Sequence, residues 1–187
     1  CHSTGFIGQS GKGVHEELNV IEEVDVITGT LGKALGGASG GFTSGPKEII
    51  EILRQKSRPY LFSNTLAPAI VGASLGVLEI LETDNSFLKQ LNNNTSLFRT
   101  GMEKLGFDIK PGNHPIVPVM LYDDHLAQKM SENLLELGIY VIGFFFPVVP
   151  KGEARIRVQL SAAHSTENIL QALRAFEKVG RELGVIK

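Results

Sequence analysis

Lys33 lies in Thr28-Gly29-Thr30-Leu31-Gly32-Lys33-Ala34-Leu35-Gly36-Gly37, directly after the apolar run Val24-Asp25-Val26-Ile27. A strand that delivers a lysine into a glycine-lined turn suits a covalent cofactor site, because a neutral amine forms a Schiff base with an aldehyde. Glycine lets backbone come close to a bound group, and the Thr30 hydroxyl can donate a hydrogen bond to an anion. The competing reading is a solvated lysine in a loop, since glycine-rich loops are common.

Three other places carry groups that could do chemistry. His2 sits in a Gly/Ser/Thr loop; considered alone, it reads first as a surface or structural histidine. Ser63-Asn64-Thr65 precedes a helical pattern, where hydroxyls and an amide either grip a phosphate or cap the helix. Arg155 and Arg157 are two apart on an alternating segment, so they share a strand face. An arginine there can clamp a carboxylate with two parallel bonds, or lie in an ion pair or in solvent. Gly8-Gln9-Ser10-Gly11-Lys12-Gly13 and Gly32-Lys33 both lack the frame of a nucleotide phosphate loop. His15-Glu16 lacks the second histidine of a zinc site, and no metal site is expected.

The elements that must position these groups alternate between strand and helix. Val24 to Thr28 is expected as a short buried strand and Gly40 to Thr43 as the start of the next. Pro46 opens a helix, Arg58 to Asn64 breaks the pattern as an extended loop, and a helix follows from Ala67 to Leu81. Phe87, Leu91, Phe98, Met102 and Leu105 make a long amphipathic helix ending at Gly106, with Asn92-Asn93-Asn94 on its solvated side. Ile116 to Leu121 is a strand, Leu126 to Leu137 a helix, Ile139 to Ile142 a strand and Arg155 to Leu160 a half-buried strand. A final helix carries Ile169, Leu173, Phe176 and Val179. This order predicts α/β architecture, with a domain boundary near residue 83.

The formal net charge of -2 gives no basic footprint, so no nucleic-acid partner is expected. No apolar run reaches the roughly 18 residues of a membrane span; Ile139 to Val149 comes nearest, interrupted by Gly143 and Pro147. The single cysteine, Cys1, excludes an intrachain disulfide and fits a reducing compartment. The opening Cys1-His2-Ser3-Thr4-Gly5 has no initiator methionine and no signal-peptide pattern, and is expected to lie inside a longer protein.

Taken together and in order, these segments resemble the α-oxoamine synthases, pyridoxal 5'-phosphate (PLP) enzymes of fold type I, over essentially the whole chain. His2-Ser3-Thr4-Gly5 looks like the family's Asp-x-x-His-x-x-Gly loop, and Thr30-Leu31-Gly32-Lys33 like its lysine motif. Gly36-Gly37-Ala38-Ser39-Gly40-Gly41, Arg58-Pro59-Tyr60-Leu61-Phe62-Ser63-Asn64 and Arg155 to His164 look most like the members that condense glycine with acetyl-CoA. The resemblance implies an aspartate aminotransferase-like α/β fold. Residues 1–83 would form the C-terminal portion of the PLP-binding large domain, and residues 84–187 the small C-terminal domain.

It further implies that Lys33 holds the cofactor aldehyde and later moves protons at the substrate α-carbon. Thr30 contacts the phosphate, with Cys1, Leu31 and Gly32 beside the cofactor, and His2 hydrogen-bonds its phenolic oxygen. Ser63 and Asn64 reach the phosphate of the neighbouring subunit's cofactor in a homodimer whose sites lie at the interface. Arg157 receives the amino-acid carboxylate and Arg155 is structural. The expected compartment is the cytoplasm, or an organelle matrix in a eukaryote. The family's aspartate for the pyridine nitrogen would precede Cys1 by two residues, so this stretch is expected to be inactive by itself. The rivals are a sister enzyme such as 8-amino-7-oxononanoate synthase and a silent partner subunit; the second would be expected to lack Lys33.

Overall fold

Prolines set the helices of the first half. Pro46 is the N-cap of α2 (Lys47–Lys56), Pro59 lies in the first turn of α3 (Arg58–Phe62), and Pro68 begins α4 (Pro68–Thr83). A first-turn residue has no intrahelical acceptor for its N–H, so proline loses nothing there. The computed structural model describes residues 1–36 and 39–187, so Gly37 and Ala38 of the Gly36–Gly41 segment lie outside the described residues. The chain divides into two compact units, Cys1–Leu88 and Lys89–Lys187.

The first unit contains α1 (Val14–Glu17), a 3-10 turn at Ile21–Glu23, and the antiparallel pair β1 (Ile27–Thr30) and β2 (Gly41–Ser44), followed by α2 to α4. The strand expected at Val24 to Thr28 is displaced three residues onward, and Val24 and Val26 are each 38% exposed rather than buried. The hairpin register explains this. Ile27 faces Ser44, so strand continued back to Asp25 would face Pro46, which has no N–H and turns the chain into α2. The extended loop expected at Arg58 to Asn64 is instead α3 as far as Phe62. Pro59 starts that helix where the sequence pattern suggested a break.

The second unit joins β3 (Ile116–Met120), β4 (Ile142–Phe144) and β5 (Arg155–Gln159) in the antiparallel order β3-β5-β4. It also holds α6 (Asp124–Glu136), α7 (Thr166–Glu182) and most of α5 (Ser86–Leu105). Alternation along β5 buries Ile156 and Val158 and leaves Arg155 and Arg157 part-exposed on the other face. The buried face packs with Phe98, Met102, Met130, Leu134 and Phe176, where Phe98 and Phe107 both meet the Phe176 ring edge-on at 5.8 and 5.9 Å. The strand expected from Ile139 begins three residues later, because the Ile139 N–H closes the end of α6 on the Leu134 carbonyl at 2.9 Å. Among the described residues no helix is long and apolar enough to cross a membrane.

Candidate active site

Lys33 stands in the connection between β1 and β2. The Leu31 N–H donates to the Gly40 carbonyl at 2.9 Å, and the Gly36 N–H to the Lys33 carbonyl at 2.9 Å. The Thr30 hydroxyl donates to the Gly40 carbonyl and accepts from the Gly32 N–H, both at 3.2 Å. Leu31 and Leu35 are only 6% and 3% exposed, while Lys33 between them is exposed. Two apolar anchors thus hold the turn and present the amine outward. That amine makes no ion pair or hydrogen bond with another described residue. Leu31, with its side chain buried, can offer a bound group only backbone. Gly29 serves the hairpin rather than a ligand: a Cβ there would stand 2.5 Å from the Phe42 ring.

Residues 1–13 form a loop against this turn. A Cβ on Gly5 would stand 3.2 Å from Leu35 Cδ2 and 3.8 Å from Ala34 Cβ, so the glycine permits the loop to seat beside the lysine segment. His2 and Cys1 are both exposed at the head of this loop. Within it, the Ser10 N–H, the Ser10 hydroxyl and the Lys12 N–H all donate to the Glu16 carboxylate. Those amides are the ones a phosphate would need at Gly8 to Gly13, and an internal carboxylate already takes them. Burial raises the Glu16 pKa, but the bonds from Ser10 and Lys12 and the Lys12 charge outweigh it and hold the carboxyl below its ordinary value.

Ser63 and Asn64 follow α3 and are exposed. They do not cap α4: its N-cap is Ala67, and no side chain hydrogen-bonds there. Their polar atoms are therefore not committed to that helix end. The exposed side chains of Tyr60, Leu61 and Phe62 lie immediately before them.

In the second unit the two strand arginines differ. The Arg155 guanidinium meets Glu153 at 3.0 Å, and Lys110 approaches the same carboxylate at 3.7 Å. Arg157 has no such carboxylate among the described residues; its guanidinium lies 5.6 Å from the centroid of the Phe144 ring. It lines a cavity of about 790 Å³ together with Tyr140, Gln159, Ser161 and His164. Asn94, expected on a solvated face, is 2% exposed. Its amide donates to the Ser161 and His164 carbonyls at 3.0 and 2.8 Å and accepts from Gln90 at 2.9 Å. A buried amide needs such partners, and these fix the segment that follows β5.

The structure brings the His2 loop and the Lys33 turn together within the first unit, and sets Arg157 on β5 of the second. Sequence reasoning missed Glu16 and Asn94. Asn94 carried a signal, lying three residues after Leu91 and four before Phe98, the spacing of the buried stripe itself.

A family model for aminotransferase class I and II matches residues 1–176. The 2-amino-3-ketobutyrate coenzyme A ligase of Escherichia coli (strain K12) is 56% identical over 185 residues, covering 99% of this chain and 46% of the relative. The 8-amino-7-oxononanoate synthase of Thermosipho melanesiensis is 45% identical over 186 residues, covering 100% of this chain and 47% of the relative. Among solved structures, serine palmitoyltransferase from S. paucimobilis with a bound PLP-myriocin aldimine superposes with a TM-score of 0.92 at 31% identity, covering 100% of this chain and 47% of that one. The chain spans about half the length of the curated relatives it matches.

Proposed function

The chain belongs to the aminotransferase class I and II family and has the α/β fold of its fold-type-I transferases, and from that premise we propose that it carries the lysine and arginine of a PLP-dependent glycine C-acetyltransferase. The reaction joins glycine and acetyl-CoA to give 2-amino-3-oxobutyrate and CoA. A C–H bond of glycine is replaced by a C–C bond to the acetyl carbon, and CoA leaves as the thiol. In the cell it runs toward glycine, in the breakdown of threonine. Residues 1–83 belong to the large, cofactor-binding domain and residues 84–187 to the small one.

The residues present fit the cofactor. An aldehyde needs an amine not held in an ion pair, which is the state of the Lys33 amine among its described neighbours. A phosphate needs donors not spent on helix capping, which describes Ser63 and Asn64. PLP, when bound, draws electron density from the substrate α-carbon and makes its proton removable. Lys33 holds the cofactor aldehyde, then takes and returns that proton. Thr30 would turn its hydroxyl from the Gly40 carbonyl to the phosphate, with Cys1, Leu31 and Gly32 alongside, and His2 would hydrogen-bond the phenolic oxygen. Arg157 grips the glycine carboxylate through its planar fork. Holding the reacting C–H bond in one orientation is worth several kcal/mol, within an upper range of about 7–11.

Ser63 and Asn64 serve the cofactor of the other subunit in a homodimer, a reading that the exposed Tyr60, Leu61 and Phe62 beside them support. The substrates place the protein where acetyl-CoA is held, in the cytoplasm or an organelle matrix. The choice of acetyl-CoA rests on one observation: identity is 56% to the ligase and 45% to the synthase over the same stretch.

The test is borohydride reduction of the full-length, PLP-loaded protein, then peptide mass spectrometry and an assay of acyl-CoA-dependent thiol release. The expected result is a pyridoxyl group on Lys33 and release of CoA with glycine and acetyl-CoA. An adduct on another lysine, or on none, overturns the cofactor assignment. A preference for pimeloyl-CoA over acetyl-CoA moves the protein to the 8-amino-7-oxononanoate synthases.

A further inference from the structure

Glu16 lies outside every set of residues assigned so far, yet the loop from His2 to Gly13 is built around its carboxylate. Both of its oxygens lie 3.1 Å from the Ser10 amide nitrogen, the Lys12 amide donates at 3.0 Å, and the Ser10 hydroxyl adds a further bond. The chain passes directly over the group: Gly8 has φ +88°, and a Cβ there would stand 2.2 Å from Glu16 Oε2. Only glycine fits that crossing. The segment so held binds the front of the loop in turn, with the Gly5 N–H on the Gly11 carbonyl at 2.8 Å and the Gly13 N–H on the Ile7 carbonyl at 2.9 Å. Gly5 then rests on Leu35, whose burial anchors the Lys33 turn.

A continuous chain of contacts therefore runs from Glu16 through Ser10 to Lys12, Gly11, Gly5 and Leu35. We propose that Glu16 is a positioning residue for the cofactor site, its carboxylate setting the His2 loop against the Lys33 turn. The role in the reaction rests on the function proposed above; the structural coupling stands by itself. Three charge-assisted donors converge on one side chain, and charged hydrogen bonds are the costly ones to lose. Glu16→Gln keeps the size of the side chain but turns an NH2 toward N–H groups that require an acceptor.

The experiment compares the full-length wild type with Glu16→Gln. In the PLP-loaded proteins the variant is expected to bind PLP at least about tenfold more weakly and to have a lower kcat. Its KM for glycine, set by Arg157 on β5, should stay within about twofold, a split that general loss of folded protein does not give. Unchanged PLP affinity together with unchanged kcat overturns the proposal. Amide hydrogen exchange without cofactor is read in parallel. Protection should fall in residues 3–13 and also in residues 31–35, with the α5 to α7 core unaffected. If residues 31–35 keep their protection, the coupling is absent and the proposal fails. If instead the wild type takes up no PLP on Lys33, the proposed function fails, and exchange alone decides whether Glu16 holds the turn.

Discussion

The Arg157 guanidinium stands 5.6 Å from the centroid of the Phe144 ring, and the two residues lie on neighbouring strands two pairs apart in register, Arg157 opposite Ile142 and Phe144 opposite Arg155. The ring steers the cation without neutralising it. Arg155, two residues earlier on the same face, is by contrast spent on Glu153. One sheet face thus carries one committed and one available guanidinium. Arg157→Lys keeps the charge and loses the fork, so kcat/KM for glycine is expected to fall by about 10- to 100-fold, the equivalent of one charged hydrogen-bond pair of roughly 1.5–3 kcal/mol. Most of the loss should appear in KM. Arg155→Gln should cost about 1 kcal/mol or less of stability and leave KM within about twofold, as befits a part-exposed ion pair. Steady-state kinetics with glycine as the varied substrate separates the two; equal losses from both variants would refute the distinction.

Leu35 and Gly5 meet where the front loop seats on the lysine turn. Leu35→Ala removes one of the two buried anchors of that turn and is expected to destabilise by about 2–4 kcal/mol. Gly5→Ala combines a φ of +96° with a methyl 3.2 Å from Leu35 Cδ2, which should cost about 1–2 kcal/mol. The double variant should be less unstable than the sum, because the shortened side chain makes room for the new methyl. Urea unfolding of the full-length protein measures all three. Strict additivity would show that the two residues do not share a contact.

Elements governed by period were legible in the sequence. The stripes of α5, α6 and α7 and the alternation of β5 are repeated statements of one pattern, so one irregular residue does not hide them. Arg155, two letters before Arg157 on the same strand face, meets Glu153 in an ion pair. What escaped depends on single long-range facts. The start of β1 is set by Pro46 facing it across the hairpin. Pro59 looks like a break and is a helix start. Asn94 interrupts a stripe of apolar letters and still lies on it, because three polar partners satisfy it. The Glu16 clamp leaves no periodic trace, since backbone amides of any residue type could supply its donors.

Asn94 allows a sharper test than deletion. Asn94→Ala leaves the Ser161 and His164 carbonyls without their donor and should cost about 2–3 kcal/mol. Asn94→Asp has the same shape but, when ionised, sets a carboxylate against two carbonyl oxygens. Its folded-state pKa must therefore lie above the ordinary carboxylate value. The sign follows: the folded form holds its proton more tightly than the unfolded form, so the variant's deficit shrinks as pH falls through that raised pKa. Denaturant midpoints of wild type and variant across the acid range should converge; a deficit independent of pH would mean that the two carbonyls find other donors.

Glu16 has the opposite sign. Burial works against its charge, but the bonds from Ser10 and Lys12, with the Lys12 charge, prevail and depress the folded-state pKa. A depressed carboxyl contributes stability that is complete above the unfolded pKa and disappears as pH falls through the folded one. The stability difference between wild type and Glu16→Gln should therefore be constant from neutral pH down to the ordinary carboxylate range. It should then close in stronger acid, where Glu16 is protonated and both side chains present a neutral group to the same amides. Unfolding midpoints at a series of pH values give this difference directly, and other titrating carboxyls cancel because both proteins contain them. A gap that stays open to about pH 2, well below ordinary carboxyl pKa values, would show that the loop depends on the shape of Glu16 rather than on its charge.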